Sequence, residues 1–314
     1  MKVHVLNIMF VCCIINSIKA QTTKDYITNL QVYTVLPSST DINIDTYTAM
    51  GEEHYIYLSK TTEHLNKLFL FLPGTKGRGK GGKYVVPFAA SLGYHAISLT
   101  YCSDKALTAC KDINDENCFM NGRQEIVFGA NTSTIWEVNK PNSIENRLQK
   151  LLTYLSINYP KDNWKQFLTD TNEINWEKIC IAGQSQGGGH AAFIAQQKKV
   201  DRVVMFGAPK DYSNYFVAPA NWLCTERKTP LNRYFGFVHT MDENNGCTWE
   251  HQKKIYTCMG ANALGSWVNV DETMPPYNHI HTLTSTKEQP FPHGSVISDT
   301  AYRPVWRYML LEKD

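Results

Sequence analysis

The sequence predicts an α/β fold: a three-layer sandwich on a mostly parallel central sheet, extended by antiparallel strands at its N-terminal side. Three observations predict it. Two early segments, "NLQVYTVLP" and "HYIYLSKT", alternate apolar and polar residues, as half-exposed antiparallel strands do. Five later segments, "NKLFLFLPG", "HAISLTY", "EKICIAG", "DRVVMFGAP" and "YFGFVHT", are short and almost continuously apolar, which suits parallel strands covered on both faces. Helical periodicities fall between several of these runs, and strands that alternate with helices build such a sandwich.

Taken in order, the chain begins with Lys2 and His4, an apolar run "VLNIMFVCCII" and the small-residue exit "SIKA". A basic start, a short apolar stretch and Ala20 at a cleavage position read as a signal peptide over 1–20, and so as export to the extracellular space or periplasm. The run is shorter than the ~20 apolar residues a membrane span needs. Cys12 and Cys13 lie inside it, which fits a lipid anchor poorly. No second long apolar segment follows, so stable membrane insertion is not expected. A net charge of +2 with both signs interspersed argues against a nucleic-acid surface. Without repeats, low-complexity tracts or linkers, 21–314 reads as one domain; nothing in it sets an oligomeric state.

Among the helices, "SIENRLQKLLTYLSINYP" is the clearest. Ser143 caps it, Ile144, Leu148, Leu151, Leu152 and Leu155 form its apolar face, and Pro160 ends it. "GGGHAAFIAQQKK" and "WEHQKKIYTCMG" follow later strands, and "RPVWRYMLLEK" closes the chain. Two stretches break the rhythm, 172–177 and 211–232. The second, rich in Tyr212, Tyr215, Phe216 and Trp222, reads within 211–236 as a cap or pocket wall, which favours a hydrophobic or aromatic ester in the pocket.

Seven cysteines lie beyond the leader, an odd number, so at least one thiol is unpaired. Cys180, inside a buried strand, is the natural odd one. Cys110 and Cys118 bracket a polar loop and form the expected pair. Cys247 and Cys258 flank a helix, whose ~1.5 Å rise per residue separates them by ~16 Å, too far for a bridge. Each then needs another partner, with Cys102 and Cys224 as candidates.

The most informative stretch is "ICIAGQSQGGGH". Gly183-Gln184-Ser185-Gln186-Gly187 is a G-x-S-x-G pentapeptide between a predicted buried strand and a predicted helix, the setting of a nucleophile elbow. The turn strains the Ser185 backbone, so residues two positions either side must lack side chains. From Leu68 onward the chain resembles the α/β-hydrolase superfamily, and within it poorly characterised secreted microbial hydrolases. The resemblance implies the chain order Ser, Asp, His, each on a loop after a successive strand.

A serine hydroxyl needs a base, and the base an orienting carboxylate. His293, in "QPFPHGSVISD", occupies the loop before the C-terminal helix where the superfamily has its histidine. His279 and His281 alternate in "YNHIHTL" and would face one side of a strand, half a metal site without accompanying ligands; His190 reads as structural. Asp242 follows the penultimate strand, the superfamily's usual place for the acid, with Asp211 after the preceding strand and Glu243 as alternatives. Arg123 and Glu125 read as a structural ion pair.

One further motif needs an assignment. Gly74 to Lys80 spell G-x-x-x-x-G-K, a phosphate loop lacking its last residue, because Gly81 stands where a magnesium-holding Ser or Thr belongs. Backbone N–H groups after a strand also serve an oxyanion. The expected donors are the N–H of Gln186 and that of Thr75, with Lys76, Arg78, Lys80 and Lys83 as solvated charges. The sequence thus points to a secreted serine esterase, without cofactor or metal, acting on a small or polymeric ester. Its rivals are an inactive binding protein on the same fold, or a peptidase or carbohydrate esterase.

Overall fold

The computed structural model of the chain describes residues 29–45 and 52–312. The segment 1–20 read as a signal peptide, with Cys12 and Cys13, lies outside the described residues. Strand β1 (Leu30–Val35) pairs antiparallel with β2 (His54–Ser59), which pairs antiparallel with β4 (His95–Ser98). From there every pairing is parallel. The sheet continues through β3 (Leu68–Leu72), β5 (Ile179–Gln184), β6 (Arg202–Phe206) and β9 (Tyr234–His239). It ends with β11 (Thr282–Ser285) and β10 (Val268–Asn269). The nine strands lie in the order β1-β2-β4-β3-β5-β6-β9-β11-β10, and a two-stranded ribbon, β7 (Tyr212–Ser213) with β8 (Ala218–Pro219), stands apart.

The continuous apolar runs have a direct cause. Strand residues point alternately to opposite faces, and here both faces are covered. Leu68, Leu70 and Leu72 of β3 and Ile179 and Ile181 of β5 pack into one core, under α2 (Cys118–Phe128), α3 (Ile144–Asn158) and α4 (Gln186–Gln197). Phe69, Phe71, Cys180 and Ala182 join the other, under α1 (Val85–Ser91) and α7 (Arg303–Leu311), with Trp306 and Met309 buried at its centre. Each such leucine, isoleucine, phenylalanine or methionine contributes ~1.5–3 kcal/mol by leaving water. β1, with one open face, keeps the alternating pattern.

Ser143 accepts the backbone N–H of Asn146 and so caps α3. Two helices do not show in the sequence pattern, α1 and α2. A third, α6 (Pro292–Ser298), occupies the segment read as the loop of His293.

Cys110 is bonded to Cys118 and Cys224 to Cys258. The second bridge ties the 211–232 region to α5 (Trp249–Cys258), and α5 is the helix that keeps Cys247 from Cys258. Cys247 is a buried thiol, as is Cys180, and burial pushes each up to about 12. "YNHIHTL" is not one strand: Tyr277, Asn278 and His279 have φ of 51°, 55° and 58°, and β11 begins only at Thr282. His279 is exposed and pairs with Glu312, whereas His281 stacks on Phe235 with ring centroids 3.8 Å apart. The two histidines therefore do not share a strand face. Among the described residues no helix is long and apolar enough to cross a membrane.

Candidate active site

The parallel strands carry their loops to one edge of the sheet, and the predicted residues gather there. β5 ends at Gln184 and α4 starts at Gln186, so Ser185 alone makes the turn, with φ 55° and ψ −122°. A non-glycine residue in that region is strained. The turn is held by hydrogen bonds from Ser185 N to Phe206 O (2.9 Å) and from Gly189 N to Ser185 O (3.1 Å). A Cβ on Gly183 would run into the Gly187 backbone, and one on Gly187 into the Leu72 carbonyl. Only glycine fits either place.

His293 is the second residue of α6, after Pro292 at the first helical position, where a missing N–H costs nothing. Its Nδ1–H donates to Asp242 Oδ2 at 2.7 Å. The other oxygen, Oδ1, accepts from Lys210 Nζ and from the Asn244 N–H, both at 3.0 Å. Burial raises the Asp242 pKa, but the His293 hydrogen bond, the Lys210 ammonium and the Asn244 N–H outweigh it and hold the carboxyl below the usual range. The corner is tight. A Cβ on Gly207 would come within 3.2 Å of Asp242 Oδ2 and 3.3 Å of His293 Nδ1.

On its other nitrogen, His293 Nε2 accepts from Gln184 Nε2 at 2.8 Å, and the same amide reaches the His293 carbonyl at 3.3 Å. With Nδ1 protonated toward Asp242, Nε2 keeps the lone pair that a base needs. Ser185, Gln184, His293 and Thr75 line one cleft of about 830 Å³.

Asp211, the alternative acid, lies close by and is held by a different cation. Arg123 clamps it with Nε to Oδ2 (2.6 Å) and Nη2 to Oδ1 (2.5 Å), and Trp222 Nε1 adds a third bond at 2.8 Å. Arg123 Nη1 also donates to Gln186 O (3.3 Å) and to His190 Nδ1 (3.1 Å), so this pair braces the first turn of α4 from below. His190 is structural, its pKa driven well below the ordinary value by burial and then by Arg123. Glu125 is not Arg123's partner; it accepts the N–H groups of Thr132 and Val138. Glu243 is exposed.

The glycine-rich loop turns at Gly74, whose carbonyl accepts the Gly77 N–H at 2.8 Å. Thr75 Oγ1 donates to Gln186 Oε1 (3.0 Å), which also accepts the Leu107 N–H (2.9 Å), so the side chain of Gln186 pins two loops to the start of α4. As first helical residue, Gln186 has a backbone N–H without an intrahelical acceptor. The rest of the loop is not a phosphate cradle. The N–H groups of Lys76, Gly79 and Gly81 go to Ser103 O, Thr100 Oγ1 and Arg78 O. Arg78 pairs with Asp104 at 2.6 Å, and Lys83 sits over the Tyr84 ring.

The aromatic segment 211–236 does not wall the large cleft. Trp222 turns inward onto Phe193 and over Arg123, and Tyr212 stacks on His251. Asp211 alone reaches a minor recess beside Ser185. Sequence reasoning missed Lys210 and Gln184; the one available signal was a lysine placed directly after a buried strand, in "FGAPKD". Among the described residues no three His, Cys, Asp or Glu side chains converge on a metal-sized site.

An antiparallel second strand, the order β1-β2-β4-β3-β5-β6, and a serine on a strained turn between β5 and the next helix make this an α/β-hydrolase fold. The sequence matches no family model, and no curated protein matches it. A solved structure from Klebsiella pneumoniae subsp. pneumoniae, described as a dienelactone hydrolase, is similar over 90% of this chain and 99% of its own. That similarity has 10% sequence identity and a TM-score of 0.46.

Proposed function

We propose that the chain is a serine hydrolase that cleaves carboxylic esters through an acyl-enzyme. The observation that carries this is the Asp242–His293 hydrogen bond at 2.7 Å, in a cleft that both His293 and the strained Ser185 line. In this reading Ser185 Oγ attacks the ester carbonyl and forms the Oγ–C bond, and its proton passes to His293 Nε2. The imidazolium, steadied by Asp242, then protonates the alcohol oxygen as the C–O bond breaks. Water repeats the sequence on the acyl-enzyme, so ester and water become acid and alcohol. The N–H groups of Gln186 and Thr75 hold the oxyanion. Gln184 has to release Nε2 before it accepts the Ser185 proton, since one lone pair serves one donor.

Esters are preferred over amides because an alkoxide leaves with less assistance than an amine. A fluorophosphonate probe tests the class. Stoichiometric labelling of Ser185, absent in Ser185→Ala, is the expected outcome; a folded protein that takes no label is a binding module instead. Export is proposed on the leader-like N-terminus, and the two disulfides favour an oxidising compartment. N-terminal sequencing of exported protein should begin at Gln21, and cytosolic retention of the intact chain would refute this.

A further inference from the structure

We infer that the ester cleaved at Ser185 joins a short acyl group, of acetyl size, to a large polar alcohol; the inference rests on the hydrolase reading above. Two spaces of very different size meet at Ser185. One is the open cleft of about 830 Å³. The other is a recess of about 10 Å³, with Thr75, Leu107, Thr108, Gln186, Arg123 and Asp211 among the residues that border it.

The chemistry decides which part of the ester goes where. The alcohol oxygen must take its proton from His293 Nε2, so the alcohol lies on the side that His293 reaches. His293 lines the large cleft and is not among the residues of the recess. The acyl substituent therefore points into the recess, past the Thr75 and Gln186 donors.

Its volume sets the acyl length. About 10 Å³ is roughly the space of one water-sized centre, which takes a methyl group and leaves nothing for a longer chain. Part of the wall is fixed in place. Leu107 is buried with its N–H fixed to Gln186 Oε1, and Arg123 and Asp211 hold each other through two hydrogen bonds. At Leu107, Arg123 and Asp211 further methylenes would displace a packed leucine or a buried ion pair, which leaves the half-buried Thr108 as a wall that a substitution can open.

The large cleft suits a polyhydroxylated alcohol such as a sugar. Lys76, Lys83, Asp104 and Asn244 offer donors and acceptors along it, and Tyr84 and the 63%-exposed Phe291 offer ring faces beside His293. A long hydrocarbon alcohol would displace water from those polar groups without replacing its hydrogen bonds.

The test measures kcat/KM for p-nitrophenyl acetate, butyrate and octanoate, together with acetate release from an acetylated oligosaccharide. The expected result is a fall of at least about 100-fold from acetate to octanoate, with acetate released from the sugar. Thr108→Ala, which widens the recess, should raise the butyrate-to-acetate ratio several-fold. Butyrate or octanoate turned over as fast as acetate, or an unchanged ratio in Thr108→Ala, overturns the inference. If Ser185 still takes the fluorophosphonate, the hydrolase reading survives that outcome. No ester cleaved and no label would sink both.

Discussion

Two buried aspartates, Asp242 and Asp211, sit on neighbouring loops at the same edge of the sheet, each beside a buried cation. Lys210 holds Asp242 and Arg123 holds Asp211. The difference lies in what each carboxylate has left to give. Lysine is a point charge and occupies only Oδ1 of Asp242, with help from one N–H, leaving Oδ2 to orient an imidazole. Arginine's planar fork takes both oxygens of Asp211, and Trp222 adds another bond to Oδ2. A carboxylate saturated in this way holds the chain together; one with an oxygen facing a histidine can serve chemistry.

Swapping each acid for its amide should separate the two roles, and gives the largest expected effect. Asp242→Asn keeps the shape but presents an NH₂ or a neutral oxygen to His293, so turnover should fall about 10⁴-fold while the fold persists. Asp211→Asn leaves a buried guanidinium half-partnered and should cost about 3–5 kcal/mol of stability, with folded enzyme retaining turnover within about tenfold. Ester kinetics alongside urea unfolding read both. The opposite pattern, a stable but dead Asp211→Asn and an active Asp242→Asn, would reverse the assignment.

The glycine-rich loop proposed to hold the oxyanion gives the next effect. Thr75→Pro removes a backbone donor and should lower turnover about 10²–10³-fold, once circular dichroism shows the variant folded. Thr75→Val keeps that N–H and loses only the bond to Gln186, so it should stay within about tenfold of the parent. A folded Thr75→Pro with near-normal turnover would remove Thr75 from the site. Lys80→Ala should change nothing, and ATP with magnesium should give no thermal shift.

The sheet was legible because burial on both faces leaves its mark on every residue of β3 and on most of β5 and β6. The turn at Ser185 was legible because its glycines answer a local steric demand. α2 was not, for it buries Arg123 and Glu125 beside Phe119 and Ile126, so no single apolar stripe marks it. The strand expected over "YNHIHTL" failed because three successive left-handed residues break it, and alternation alone does not reveal backbone sign. The roles of Lys210 and Gln184 depend on partners 32 and 109 residues away. No local pattern carries that information. The aromatic segment misled for a related reason: composition shows that rings are present but not that Trp222 turns toward Asp211.

Acid should distinguish the two corners again, through stability. Three histidines are buried in the neutral form: His54, held at about 3 by burial and then by Arg147; His95, at about 4, chiefly by burial; and His190, beside Arg123. Each has a folded pKa below the unfolded value of about 6.5. The unfolded chain therefore binds more protons below that pH, and stability falls as pH drops from about 6.5 toward the folded values, by up to ~1.4 kcal/mol per pH unit for each histidine. The Asp242 carboxylate is also depressed, so its contribution is complete above the ordinary carboxylate pKa of about 3.9 and is lost only as pH falls through its lower folded value. Between pH 6.5 and 4.5 the loss should thus come from the histidines, with the Asp242–His293 pair not contributing through its carboxylate. His190→Asn, which keeps an acceptor near Arg123, should flatten the slope of unfolding free energy against pH by about 1.4 kcal/mol per unit, measured by urea titration at several pH values. A stability that stays level from pH 7 to 5 would mean that these imidazoles protonate inside the fold, and that the Arg123 corner tolerates a second cation beside it.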